Sequence, residues 1–191
     1  TFNGWISKLA TDTSGNVYAT GEFTNTIGKY YVAKWDGNSW SELGGSNNSA
    51  FNNVIDALAI DKTGNIIYAG GDFTNTNGLE YVAKWDGNNW SDIGGPYNSN
   101  SGFYDWLNCL VADGNGNVYT AYWNQVAKWD GSNWSVLAGI GSNIFNYAIS
   151  NLAVDTSGDV YTSGYYTDIY GTYFVGQWDG NSWKELIGLP T

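Results

Sequence analysis

Histidine and methionine are absent from this 191-residue sequence, and cysteine occurs once, as Cys109. Without histidine the chain lacks the usual general base, the commonest zinc ligand and the partner of a catalytic serine or cysteine. A single cysteine cannot form an internal disulfide, so the fold is not a disulfide framework. Cys109 lies within the apolar run from Leu107 to Ala112, which predicts a small buried hydrophobe rather than a reactive thiol. We therefore expect no conventional hydrolase, no catalytic residues and no catalytic metal.

Positive charge is also scarce. Seven Lys and Arg residues stand against eighteen Asp and Glu, which gives a net charge of −11. Such a surface repels phosphate backbones and anionic lipid headgroups. No apolar run approaches the roughly 18 residues that a membrane-spanning helix needs. We expect neither a nucleic-acid partner nor membrane insertion.

The composition is rich in Asn, Gly, Ser, Thr, Tyr and Trp and poor in charge, a style typical of secreted proteins. This favours an extracellular or cell-surface location. Since the sequence begins at Thr1 and contains no methionine, we expect the start codon and any targeting segment to lie outside it.

A tandem repeat organises the whole chain. Trp-Asp-Gly begins at Trp35, Trp85, Trp129 and Trp178, with spacings of 50, 44 and 49 residues. This period matches one four-stranded propeller blade. A second turn signal of the type Asp-x-x-Gly precedes each Trp-Asp-Gly motif, so each repeat contains two punctuated hairpins.

Four short β-type runs fit into each repeat, and no window shows a helical period. We predict an all-β chain, a β-propeller of four four-stranded blades that is either closed with four blades or part of a larger ring. The predicted domain is a single repeat domain spanning 1–191, with blades at approximately 1–45, 46–95, 96–139 and 140–191.

Paired tryptophans flank each Trp-Asp-Gly loop. Trp35 and Trp40 bracket a four-residue loop, which places them opposite each other across a hairpin and on one face. Because each ring can bury about 150–250 Å², we expect these tryptophans to pack blade against blade.

The run Leu9-Ala-Thr-Asp-Thr-Ser-Gly-Asn-Val-Tyr18 resembles NHL-type blades, and Val32-Ala-Lys-Trp-Asp-Gly-Asn-Ser-Trp40 resembles Kelch-like and galactose-oxidase-like blades. The resemblance covers nearly the whole chain and implies a secreted bacterial β-propeller repeat protein. It implies no particular function, because propeller blades serve many. WD40 repeats use a Gly-His and a buried histidine network, which this chain lacks.

Two groups of acidic residues allow alternatives. The turn aspartates Asp12, Asp61, Asp113 and Asp155 could bind calcium. Asp113-x-Asn115-x-Asn117 has the oxygen-rich alternation of a calcium loop, although it lacks the Gly at the sixth position and the Glu at the twelfth. Capping of their own turns explains the same pattern. We expect no cofactor, with calcium left open. Glu22 and Asp72 occupy equivalent positions, where the last two repeats have Trp123 and Tyr165, and this is where a carboxylate-based glycosidase would be sought.

The longer and more variable segments all fall at one end of the predicted strands, where the second strand joins the third and one blade joins the next. Aromatic residues among Asn, Ser and Gly in such segments are typical of binding surfaces. Capping of the blades by these rings is the alternative. The predicted ligand-binding residues are Phe51, Tyr97, Tyr104, Trp106, Phe145, Tyr147 and Tyr170.

The sequence thus favours a non-catalytic binding module of a secreted or cell-surface protein that recognises a glycan or a protein. The alternative is a scaffold segment of a larger extracellular protein or assembly, with further blades or other subunits as partners. A glycan-active enzyme is the third interpretation.

Overall fold

The computed structural model of the chain describes residues 1–45, 51–61, 64–95, 107, 109–138 and 144–186. These residues form sixteen strands in four antiparallel sheets, and each sheet contains four strands that are consecutive in the chain. The strands of the first two sheets are β1 Ile6–Thr11, β2 Val17–Gly21, β3 Ala33–Trp35, β4 Trp40–Glu42, β5 Ile55–Ile60, β6 Ile67–Gly71, β7 Ala83–Trp85 and β8 Trp90–Asp92. Those of the last two are β9 Leu110–Ala112, β10 Val118–Tyr122, β11 Gln125–Trp129, β12 Trp134–Val136, β13 Ile149–Val154, β14 Val160–Gly164, β15 Val175–Trp178 and β16 Trp183–Leu186.

The four predicted strands per repeat are confirmed, and each sheet is one blade, numbered 1 to 4 along the chain. In blade 3 the first strand, β9, starts at Leu110, so it is shorter than the apolar run from Leu107 to Ala112. The described part of the chain contains strands, turns and bends, and none of its segments is a helix that could cross a membrane.

The chain divides into two compact units, Thr1–Leu110 with blades 1 and 2, and Val111–Thr191 with most of blade 3 and all of blade 4. Each unit is described by itself below. The single repeat domain expected from the sequence stays a prediction.

The Trp-Asp-Gly hairpins form as predicted. Trp35 pairs with Trp40 in the strand register, and their ring centroids lie 5.7 Å apart. The same pairing recurs in the other blades, at 5.5 to 5.7 Å. Asp36 caps the loop, because its carboxylate accepts hydrogen bonds from the backbone N–H groups of Asn38 and Ser39. Gly37 has a φ of 98°, which an L side chain rarely adopts.

An aromatic stack fills three of the blades. Phe51 is fully buried, and its ring centroid lies 4.6 Å from Phe73 and 5.1 Å from Trp90. Phe145 repeats this arrangement in blade 4, at 4.7 Å from Tyr166 and 4.8 Å from Trp183. In blade 1 the Phe2 ring makes the equivalent contacts, at 4.4 Å from Phe23 and 5.2 Å from Trp40. Edge-to-face contacts of this kind contribute beyond simple burial, so these rings hold the strands of each blade together.

Candidate binding surface

One end of the strands, here called the loop edge, carries the hairpins between second and third strands and the connections between blades. The opposite end, the turn edge, carries the Asp-x-x-Gly turns and the Trp-Asp-Gly loops. At the loop edge, the segment 24–30 is a regular hairpin. Asn25 caps it by accepting hydrogen bonds from the backbone N–H groups of Ile27 and Lys29. Asn75 and Asp168 cap the equivalent hairpins of blades 2 and 4 in the same way.

The connection 146–149 organises the loop edge of the second unit. On one side, the Ile149 N–H donates to the Trp123 carbonyl oxygen at 2.7 Å. On the other side, the Tyr165 N–H donates to the Ala148 carbonyl at 2.8 Å. The Asn146 side chain accepts from the Thr167 N–H at 2.9 Å. This short segment therefore joins the hairpin end of blade 3 to that of blade 4.

Glycine permits this close approach. A Cβ atom built on Gly164 would lie only 2.2 Å from the Ala148 carbonyl oxygen, closer than any real contact allows. The connection can therefore lie directly against the end of β14 only because residue 164 has no side chain.

Large side chains project from all three of these segments. The ring centroids of Trp123 and Tyr147 lie 5.5 Å apart, and both rings are exposed. Tyr165, Tyr170 and Tyr173 are exposed at the end of β14 and in the hairpin that follows it. Clusters of exposed large apolar groups mark interaction sites. We call this set the aromatic surface: Trp123, Tyr147, Tyr165, Tyr170 and Tyr173.

Trp123 has an unusual backbone. Its φ is 50°, and it is the only residue other than glycine with a positive φ in the described part of the chain. For a bulky L residue this conformation costs about 1–2 kcal/mol. The ring gains little burial in return, since it remains half exposed. Strain of this kind, held where a glycine would relieve it, points to a functional role for the ring.

The predicted site residues separate into three groups. Tyr147 and Tyr170 are exposed at the loop edge, as a binding role requires. Phe51 and Phe145 are buried in the aromatic stacks, so neither ring faces a ligand and we remove both from the candidate site. Their burial agrees with the alternative interpretation that these aromatics cap the blades. The others, Tyr97, Tyr104 and Trp106, lie outside the described residues.

Trp123, Tyr165 and Tyr173 were not among the predicted residues. A signal for the first two exists in the sequence, because they occupy the repeat position that is acidic in blades 1 and 2, as Glu22 and Asp72. A change from acidic to aromatic at one repeat position marks a surface that differs between the two halves of the chain.

The acidic residues at this repeat position, Glu22 and Asp72, lie in the first unit. Burial raises the pKa of Asp56 above its ordinary value of 3.8, and the nearby carboxylates of Asp72 and Glu22 raise it further. Lys8 partly offsets this effect. The sequence interpretation missed Asp56, which stands where blades 1 and 4 have Ser7 and Ser150.

The turn aspartates cap their own turns. The Asp113 carboxylate accepts from the backbone N–H groups of Asn115 and Asn117, from the Asn117 amide and from the Tyr119 hydroxyl. Although burial opposes ionisation, these hydrogen bonds hold the pKa of Asp113 below its ordinary value. Burial and the adjacent carboxylate raise the pKa of Tyr119 to about 12. Asp12 makes the same set of contacts. Within the described ranges, no cluster of three or more His, Cys, Asp or Glu side chains is arranged to hold a metal ion.

Cys109 is buried, as its apolar strand context predicts. The departure of blade 4 from the repeat, Gly176-Gln177 in place of Ala-Lys, also has a structural cause. A Cβ atom on Gly176 would lie 2.6 Å from the Thr162 hydroxyl oxygen and 2.7 Å from the Phe145 ring. Gln177 donates to the Asp159 carboxylate at 2.7 Å.

No protein-family model matches the chain, and no curated protein is significantly similar to it. Solved structures are similar to it in fold. YCF48 in a structure with bound D1 peptide is 15% identical with a TM-score of 0.57, and the alignment covers 100% of this chain and 55% of that one. The WD40 β-propeller domain of Doa1 is 12% identical with a TM-score of 0.61, covering 100% and 57%.

A gluconolactonase from Xanthomonas campestris is 12% identical with a TM-score of 0.54, covering 83% of this chain and 54% of that one. The chain thus spans little more than half the length of the solved structures it matches. At these identities the likeness concerns the fold and leaves the activity open. Together with the four four-stranded antiparallel sheets, it shows that the chain has a β-propeller fold.

Proposed function

We propose that this chain is a non-catalytic binding module that recognises a glycan or an extended polypeptide through the aromatic surface of its second unit. The observation that carries the proposal is the exposed pair of Trp123 and Tyr147, whose ring centroids lie 5.5 Å apart and in which Trp123 has a positive φ. Rigid aromatic rings supply a large contact area at low entropic cost.

The chemistry of the surface suits a neutral ligand with alternating apolar and hydroxylated faces. Flat rings can stack on the C–H face of a sugar. The hydroxyls of the surface tyrosines make no hydrogen bond among the described residues, so they are available to a ligand. The net charge of −11 disfavours acidic glycans. A glycan ligand would accord with the secreted or cell-surface location and the NHL- or Kelch-like blades proposed for this chain.

A polypeptide is the second candidate ligand. One structure of similar fold is that of YCF48 bound to a D1 peptide, and this supports a peptide as a candidate ligand. Exposed tyrosines and tryptophan also dominate the energetics of protein interfaces. The scaffold alternative predicts instead that the aromatic surface has no small or extended ligand.

The test is binding to a glycan array and to a peptide array. The wild-type chain is compared with the double variant Trp123→Ala/Tyr147→Ala and with a control, Asn38→Ala/Asn88→Ala, on the turn edge. We expect one class of ligand to bind the wild type and the control, and the aromatic variant to lose at least tenfold in affinity. Loss of binding in the control alone would contradict the assignment. Absence of any ligand would favour the scaffold role, and turnover of a bound glycan would favour an enzyme.

A further inference from the structure

Neighbouring blades pack by a repeated rule. We call the side of a blade that bears the positions of Leu58 and Trp85 its front face, and the side that bears the position of Val32 its back face. In the first unit, Tyr18 and Val32 of blade 1 share one core cluster with Leu58 and Trp85 of blade 2. In the second unit, the Trp183 indole N–H of blade 4 donates to the Leu137 carbonyl of blade 3 at 3.0 Å. The back face of one blade thus packs on the front face of the next.

Within the first unit, no neighbouring blade covers the front face of blade 1. Leu9, which stands at the repeat position of Leu58, is 64% exposed, whereas Leu58 is 8% exposed. Ile6 is 46% exposed, whereas its counterpart Ile55 is 0% exposed. Trp40 is also exposed, unlike its equivalent Trp183. These side chains are apolar, as in the covered front faces, yet no described residue of another blade in the first unit covers them.

Within the second unit, no neighbouring blade covers the back face of blade 4. Val175 is 40% exposed, whereas its equivalents Val32 and Val126 are buried at 0% and 1%. Leu186 is likewise 40% exposed, and its equivalent Leu137 is buried. Each unit, taken by itself, therefore has one uncovered blade side whose residues match those of a packed interface between consecutive blades.

We propose that a second copy of this chain covers both sides, with the front face of blade 1 in each copy packed on the back face of blade 4 in the other. The contact continues the interface that already joins consecutive blades, so it needs no new surface. It is heterologous, because two different faces meet. The solved propellers that this chain matches over its full length are nearly twice as long, and two copies supply that number of residues.

Light scattering after size exclusion tests this inference with the chain as it stands. We expect a mass of about twice the 20.8 kDa of one chain. Leu9→Glu and Val175→Glu, one on each open face, should each shift the mass to that of a single chain while the far-UV circular dichroism spectrum stays unchanged. Ile27→Glu, at an exposed position in a loop-edge hairpin, is the matched control and should remain a dimer.

Mixing the two variants gives a sharper result. The Leu9→Glu chain retains an intact back face and the Val175→Glu chain an intact front face, so an equimolar mixture should regain a dimer through one interface. A wild-type chain that is monomeric at every concentration would overturn the inference, and would favour either closure of the four blades within one chain or cover by other blades. A dimer that both variants leave intact, or a mixture that stays monomeric, would overturn it as well.

Discussion

Phe145 and Tyr147 are two residues apart and were both predicted to contact a ligand, but the structure gives them opposite roles. Phe145 is 2% exposed and contacts the rings of Tyr166 and Trp183, whereas Tyr147 is 54% exposed and touches Trp123. Replacing a buried Phe by Ala costs about 3–5 kcal/mol, because transfer energy is lost and a cavity remains. Replacing Tyr147 by Ala should cost about 0.5–1.5 kcal/mol, the contribution of one aromatic pair.

Urea unfolding followed by fluorescence measures both values. We expect Phe145→Ala to lose several kcal/mol of unfolding free energy, a large part of the 5–15 kcal/mol typical of a domain, with ligand binding unchanged in whatever fraction stays folded. Tyr147→Ala should remain folded and lose binding. If the two variants are equally stable, or if Tyr147→Ala is the less stable, the assignment of one ring to the core and the other to the surface is refuted.

Three further predictions follow from particular residues. Gly176→Ala should destabilise the chain by about 1–3 kcal/mol in thermal unfolding, because the added methyl meets Thr162 and Phe145. This is expected although blades 1 to 3 carry Ala at this position. An unchanged Tm would contradict it. Asp56→Asn should raise the Tm at pH 7, because the raised pKa of Asp56 means that its charged form disfavours folding. The gain in Tm should shrink as the pH falls through that pKa, because the wild-type side chain then becomes neutral. A gain that persists at low pH would refute the electrostatic cause. Trp123→Gly should change the free energy of unfolding by no more than about 1 kcal/mol, because relief of the positive φ offsets the lost ring contact. Ligand binding should fall in this variant. Retained binding would remove Trp123 from the site.

Local sequence signals were sufficient to predict the four strands of each blade. The four-residue loop between Trp35 and Trp40 determines the hairpin register, and the Asp and Gly residues in it determine the turn. Such information is contained within a few residues, so it can be read without the tertiary structure. The capping role of Asp113 was likewise recognisable from its spacing to Asn115 and Asn117.

The burial of the aromatic residues at the loop edge could not be predicted from local sequence signals. A ring in a connecting segment can turn into the blade or away from it, and its direction depends on partners distant in the sequence. Phe51 turns inward onto Phe73 and Trp90. The repeated dipeptide Phe-Asn, at residues 2, 51 and 145, was the available signal. Its Asn anchors the hairpin, as Asn52 does by accepting from the Thr74 N–H.

Hydrogen exchange of the chain with and without its bound ligand is the most direct test of the proposed binding surface. The proposal predicts slower exchange of backbone amides on ligand binding at residues 122–125, 146–149 and 165–173, with the Trp-Asp-Gly loops of the turn edge unchanged. Protection confined to the turn edge or to the first unit, with no change at the aromatic surface, would contradict it.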